Sequence, residues 1–327
     1  MTNGLTLKYL PVRILRKLLG AEAKSGRMPK GYIDYFDQEG NDHILERLNG
    51  YSGGGYMLSK WGCCEYARVN YDYVNGKHLT LSDYWAMARR RLLVPTDQKA
   101  VSSLYNNAGV FPDDEQTHKR FSRKALQDCQ LIDILCSVVK EEVSMKQYWS
   151  SALIVNLNAY LAPWMFNNPW TQWLRGKRVL VVHPFVESIR RQYETRRKHL
   201  FANPDVLPEF GDLMTIKAVQ SAGGEKPPFD DWFEALHYME QEIDRHDYDV
   251  AIIGCGAYGM SLAAHVKRQG KVGIHLAGWT QMLFGVYGNR WVARNSQYAK
   301  YINNYWIRPG ENERIERADS IENACYW

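Results

Sequence analysis

Asp249-Val-Ala-Ile-Ile-Gly-Cys-Gly-Ala-Tyr-Gly-Met-Ser-Leu-Ala-Ala-His-Val-Lys-Arg-Gln-Gly-Lys-Val-Gly-Ile-His275-Leu276 is the stretch on which the reading of the fold turns. Val250 to Ile253 is an apolar run of strand length. Gly254, Gly256 and Gly259 punctuate a turn, and Met260 to Arg268 carries apolar residues at helical spacing. Gly270 ends that helix and Lys271 begins a second strand. A strand-turn-helix-strand unit joins parallel strands in a sheet covered by helices. Without a β-carbon the turn lets the backbone approach a ligand, and the helix N-terminus offers N–H groups to an anion. A phosphate-bearing ligand is the first expectation.

The dinucleotide fingerprint also calls for an acidic residue about 20 positions on. Here the second strand ends His275-Leu-Ala-Gly278, without a carboxylate, and the chain beyond it reads as Tyr-, Trp-, Asn- and Arg-rich loops. A nicotinamide or flavin site and a purely structural glycine turn therefore stand beside the phosphate reading as rivals.

The 327 residues suffice for one large or two modest domains, with 45% hydrophobic content. A net charge of +5 suits anionic small ligands or an anionic membrane surface and is too small to argue for nucleic acid. Cys63, Cys64, Cys129, Cys136, Cys255 and Cys325 show neither paired nor metal-binding spacing, which fits free thiols in a reducing compartment. No run reaches the roughly 18 apolar residues of a span, and no signal-peptide cleavage pattern is evident. The expectation is a cytoplasmic protein. Thr6 to Leu19 interleaves leucines with Lys8, Arg13, Arg16 and Lys17, as in a basic amphipathic helix. It suits either peripheral contact with the inner membrane or docking on its own domain.

In chain order, Asn41 to Leu48 reads as a helix, and a glycine-rich loop leads to a strand over Met57 to Trp61. Gly62-Cys63-Cys64-Glu65 then sets one carboxylate just past a strand end, where open sheets bind ligands. A helix-starting surface glutamate is the plain alternative. Helices are predicted over Ser82 to Arg91, Thr96 to Asn106, Ser122 to Glu142 and Gln147 to Leu161, with Cys129 and Cys136 on one face of the third. The aromatics from Trp164 to Trp173 read as packing or as a sugar platform, with packing favoured.

A second α/β region begins at Arg175. Val179 to Val182 is a buried-type strand ending at His183, and Met214 to Val219 another, ending at Gln220 and Ser221. Asp230 or Asp231 caps the helix before the opening unit. In a parallel sheet these ends share one edge. His183, Gln220, Ser221, the turn Gly254, Cys255, Gly256, Ala257 and Tyr258, and the segment His275, Gly278 and Gln281 are thus expected to line one crevice.

Several segments then carry a resemblance. His183-Pro-Phe-Val-Glu-Ser-Ile, Thr215 to Ser221, Asp231-Trp-Phe-Glu-Ala-Leu236, Ile253 to Gly259, Lys271 to Gln281 with Leu283-Phe-Gly285, and Ile321 to Trp327 resemble a family of bacterial proteins found with surface-polysaccharide genes. More widely, Lys60-Trp-Gly-Cys-Cys-Glu65 is similar to the Arg-Phe-Gly-Asp-Gly-Glu segment of GT-D fold glycosyltransferases, which hold nucleotide-sugar donors through an Asp-x-Glu motif. In that comparison Glu65 takes the place of the second acid, and Cys63 stands where the first would be.

What the resemblance implies is a GT-D-like α/β protein, a Rossmann-like, largely parallel sheet with flanking helices and a helical insertion. Its parts are a basic segment over residues 1–30, a part over 31–174 carrying the Gly-x-x-Glu motif and a nucleotide-binding part over 175–327, the last two either separate or forming a single domain. The implied function is transfer of a sugar from a nucleotide diphosphate sugar to a saccharide or lipid-linked acceptor in surface polysaccharide synthesis. Glu65 is the expected catalytic residue, either as the acceptor base or as an indirect anchor for Mn2+ or Mg2+; Gly62 joins the strand-end residues in holding the donor. The rivals are a Rossmann-type enzyme using NAD or S-adenosylmethionine, and a non-catalytic partner in polysaccharide assembly.

Overall fold

Four residues, Val250 to Ile253, are buried along their whole length, which requires cover on both faces of the strand. In the computed structural model, which describes residues 8–20, 28, 30–94, 98–294 and 296–327, this strand is β6 of a seven-stranded sheet. The others are β1 (Tyr56–Lys60), β2 (Ile134–Ser137), β3 (Leu153–Asn156), β4 (Arg178–His183), β5 (Asp212–Lys217) and β7 (Val272–His275). Their order is β3-β2-β1-β7-β6-β4-β5 and every pairing is parallel. β1 pairs with β7, Tyr56 opposite Val272 and Leu58 opposite Ile274, so one sheet runs across the boundary near residue 175.

The helices are α1 (Leu10–Leu19), α2 (Asp37–Asn49), α3 (Cys63–Asn75), α4 (Leu81–Ala88), α5 (Gln98–Ala108), α6 (Glu115–Asp128), α7 (Leu157–Leu161), α8 (Val186–Leu200), α9 (Trp232–Asp244), α10 (Tyr258–Arg268), α11 (Trp279–Leu283) and α12 (Asn289–Val292). Local chemistry starts several of them. Asp231 accepts from the Phe233 and Glu234 N–H groups at α9, Asp114 caps α6, and Thr80 with Asp83 forms a reciprocal capping box at α4. Thr6, Leu7 and Thr96, to which the sequence assigns helix, lie outside the described residues.

Alternate residues of the central strands feed two cores. Leu180, Val182, Ala251 and Ile253 pack with Trp232, Met239 and Leu262 on one face. Val179, Val181, Val250 and Ile252 pack with Ile44, Ile189 and Trp170 on the other. Each fully buried aliphatic side chain contributes about 1.5–3 kcal/mol before entropy is counted. No helix among the described residues is long and apolar enough to cross a membrane.

Two of the predicted helices are corrected. Ser122 to Glu142 divides into α6, a 3-10 turn and β2, and Gln147 to Leu161 contains β3 ahead of the five-residue α7. Both strands are four residues long, and an apolar run that short fits either period. Cys129 therefore sits in the 3-10 turn and Cys136 in β2, not on one helix face.

The connections position the site. β4 leads to β5 on one side, while β6 leads to β7 on the other. Adjacent strands whose chains depart in opposite directions leave a crevice outside their carboxyl ends.

Candidate functional site

A cavity of about 480 Å³ occupies that crevice, within the range of small-molecule sites, about 300–1,000 Å³. The loops after β1, β4, β5, β6 and β7 form its wall, joined by the end of α5 and by the segment 321–327. Of the residues expected here, Gly62, Glu65, His183, Gln220, Ser221, Gly254, Cys255, Gly256, Tyr258, Gly278 and Gln281 line it. Ala257 and His275 do not.

Glu65 enters from the first turn of α3. The first backbone bond of that helix runs from the Tyr66 N–H to the Gly62 carbonyl at 2.9 Å, leaving the Cys63, Cys64 and Glu65 N–H groups without partners among the described residues. The Glu65 carboxylate folds back over Gly62 and makes no hydrogen bond or ion pair among the described residues. Beside it Lys60, the last residue of β1, gives one proton of its ammonium group to the Trp61 carbonyl at 3.2 Å. A carboxylate, a cation and open N–H groups thus meet at one strand end.

His183 ends β4 and is buried. Its Nδ1 accepts the Phe185 N–H at 2.9 Å, so the ring proton resides on Nε2. Burial lowers its pKa to about 3, and the imidazole is a neutral donor at ordinary pH. Ser221 gives its proton to the Gly109 carbonyl at 2.6 Å and meets the Tyr258 hydroxyl at 3.0 Å. The Tyr258 ring stacks on Trp232, with ring centres 5.0 Å apart, which fixes this wall to the core.

The glycine turn departs from expectation. The N–H groups of Ala257, Tyr258 and Gly259 donate to the carbonyls of Ala108, Cys255 and Gly256 at 3.2, 3.3 and 3.2 Å. Cys255 and Gly256 keep N–H groups without partners among the described residues. Gly256 adopts φ +58°, a left-handed conformation that glycine takes without a steric penalty. The N-terminus of α8 is also filled, because the buried carboxylate of Glu313 accepts the Glu187 and Ser188 N–H groups at 2.9 and 3.3 Å. The chain supplies its own anion there.

His275 is the clearest correction. Its Nδ1 meets the Ser59 hydroxyl at 3.1 Å, and its ring lies against the α-carbon of Gly259 in the interior. Burial, with Lys60 adding to it, lowers its pKa to about 3. A strand alternates its side chains between faces, so the last residue of β7 turns inward while the following turn reaches the cavity. Tyr160 donates to the His275 carbonyl at 3.0 Å, which holds that strand end in place.

Sequence reasoning missed a cation on the wall that Glu65 shares. Arg290 of α12 lines the cavity, lies over the Tyr326 ring at 4.8 Å and donates to the Tyr326 hydroxyl at 3.3 Å. It also pairs with Glu322. Despite burial, which acts the other way, Tyr326, Cys325 and Glu322 raise its pKa, so it stays charged. Glu322, Asn323 and Ala324 turn through φ of +46°, +57° and +53°, a strained left-handed turn at the mouth. Buried Gln281 donates to the Tyr326 carbonyl at 3.0 Å, and its Oε1 has no partner among the described residues. No periodicity or spacing links residues 281, 290 and 326; only the chain's return across the crevice does.

The donor set does not make a divalent-cation cage. No group of three or more His, Cys, Asp or Glu residues among the described residues is arranged to hold a metal. Glu65 is a single carboxylate, Glu322 is engaged by Arg290, and Cys63, the first residue of α3, has its thiol pKa raised by partial desolvation and by Glu65 despite the opposing Lys60. Comparison with protein-family models, with curated proteins and with solved structures finds no match. The functional reading therefore rests on the geometry of this crevice and the residues that line it.

Proposed function

We propose that the crevice binds a nucleotide diphosphate sugar and that the protein is a glycosyltransferase of GT-D-like fold. The observation that carries this reading is one unpaired carboxylate, Glu65, on the wall of the same cavity as two cations, Lys60 and Arg290. Transfer of a glycosyl group needs a base for the acceptor hydroxyl and positive or N–H groups for the departing diphosphate. Glu65 takes the acceptor proton. Lys60, Arg290 and the open N–H groups of Cys63 and Cys64 offset the leaving-group charge.

Neutral His183 and the Gln281 Oε1 orient the sugar or nucleoside by hydrogen bonds, one donating and one accepting. Mn2+ or Mg2+ would have Glu65 alone as a protein anchor, and no step is assigned to it. The acceptor is a growing saccharide or a lipid-linked one, and synthesis of a bacterial surface polysaccharide at the cytoplasmic side of the inner membrane is the setting in which such chemistry serves. A nicotinamide or methyl-donor reading loses support because three N–H groups of its glycine turn already serve the backbone.

Thermal melting in the presence of UDP, GDP, CMP, dTDP, NADH or S-adenosylmethionine, each with EDTA or with Mn2+, tests the reading through ligand linkage. Stabilisation by a nucleotide of the sugar-donor type is the expected result. Stabilisation by NADH or S-adenosylmethionine alone would overturn it. Donor binding without turnover over a broad acceptor panel would favour the non-catalytic partner.

A further inference from the structure

α1 has two apolar faces, and the fold uses one. Val12 is buried, and Leu15 and Leu19 are half-buried, against Val74, Met87, Ala88 and Leu92. With 3.6 residues per turn, Leu10, Ile14 and Leu18 lie on average about 130° around the helix from that stripe. They are 45%, 53% and 78% exposed. A surface helix ordinarily turns polar groups outward at these positions.

Arg13 and Lys17 border the exposed stripe along one edge. Lys8, Arg13 and Lys17 are exposed and make no ion pair among the described residues, and no Asp or Glu occurs from residue 8 to residue 19. Neighbouring α4 adds Leu81, 88% exposed, and Trp85, 42% exposed, with the Arg89 guanidinium 5.1 Å from the indole. Exposed Arg90 and Arg91 come directly after it. Leucines facing outward beside exposed Lys and Arg, with a tryptophan at the margin, are the chemistry of an acyl-chain boundary beneath anionic headgroups.

We propose that this α1–α4 face docks on an anionic lipid bilayer, with Leu10, Ile14 and Leu18 entering the headgroup boundary and Arg13 and Lys17 meeting lipid phosphates. The surface is distinct from the crevice, so the inference does not depend on the transferase reading. Charge selects lipid over a second copy of the chain, because a symmetric dimer through this face would set the exposed cations of one copy against those of the other.

The test is flotation of the full chain with vesicles of phosphatidylcholine alone or mixed with phosphatidylglycerol. Binding to the mixed vesicles is expected, falling at least about tenfold in high salt, which screens the headgroup charge. The double variant Ile14→Asp/Leu18→Asp should lose binding to a similar extent with an unchanged melting temperature, since both side chains are exposed. Arg13→Gln/Lys17→Gln, which leaves the apolar stripe intact, should weaken binding and flatten its salt dependence. Absence of binding to phosphatidylglycerol vesicles, or equal binding by the Ile14→Asp/Leu18→Asp protein, would overturn the proposal. So would a wild-type dimer in light scattering that this variant converts to monomer, which would assign the face to a second copy.

Discussion

The Glu65 carboxylate lies so close to the α-carbon of Gly62 that a β-carbon there would fall 1.9 Å from its Oε2. Gly62 has φ −78°, so its backbone suits any residue and the constraint is steric. The absence of a side chain at residue 62 is what lets the carboxylate fold back over the helix start. Gly62→Ala should therefore push the end of a flexible side chain aside without unfolding the protein.

The expected outcome for Gly62→Ala is a loss of turnover approaching that of Glu65→Gln, with stability lowered by about 1 kcal/mol for the poorer helix start. Glycosyl transfer and thermal melting measured on both variants check it. Wild-type turnover in Gly62→Ala would mean that the folded-back position of Glu65 is not the working one.

A second prediction concerns the filled end of α8. Glu313 is buried, takes the Glu187 and Ser188 N–H groups and the Ser188 hydroxyl, and also accepts the Gly310 N–H at 3.1 Å. Truncation leaves the Glu187 and Ser188 N–H groups without this acceptor, while the Gly310 N–H keeps the Ser188 hydroxyl at 3.0 Å, and each donor left buried without a partner costs about 1–3 kcal/mol. Glu313→Ala should lower stability by roughly 3 kcal/mol in a denaturant titration. An exogenous anion such as sulfate, at the exposed helix end, should recover part of that loss. A near-neutral effect would show that water replaces the carboxylate at no cost.

How far the sequence led is visible residue by residue. Val179 to Val182 and Val250 to Ile253 were legible as buried parallel strands because uninterrupted apolar runs bounded by glycine or proline have few other uses. The shared strand edge came from them, and with it the placement of His183, Gln220 and Gly254 beside one another. β2 and β3 were not legible, since Ile134 to Ser137 and Leu153 to Asn156 are too short to display a period. Nor was the inward turn of His275, which depends on register at a strand end. Arg290 escaped because its place comes from the return of residues 321–327 across the crevice, a long-range contact that no local pattern encodes.

The last prediction is a pH optimum of stability set by groups of opposite sign. His183 and His275 have folded pKa values lowered to about 3 by burial, against an ordinary 6.5. The unfolded chain binds more protons between those values, so stability rises with pH from about 3 to 6.5. Glu142 acts the other way. Its buried oxygens lack well-formed hydrogen bonds, although Ser137, Val139 and Tyr32 surround them, and burial raises its pKa from 4.5 to about 8. There the folded chain holds the extra proton, and stability falls with pH from about 4.5 to 8. Two histidines outweigh one glutamate below 6.5, while Glu142 acts alone among these groups above it. The melting temperature should therefore peak near pH 6.5 and decline by pH 8, a loss on the order of 2 kcal/mol at about 1.4 kcal/mol per pH unit. Glu142→Gln removes the titrating proton and should flatten the decline between pH 6.5 and 8 while leaving the acid limb in place. A variant with the same decline would show that Glu142 already ionises at its ordinary pH, through water reaching the site.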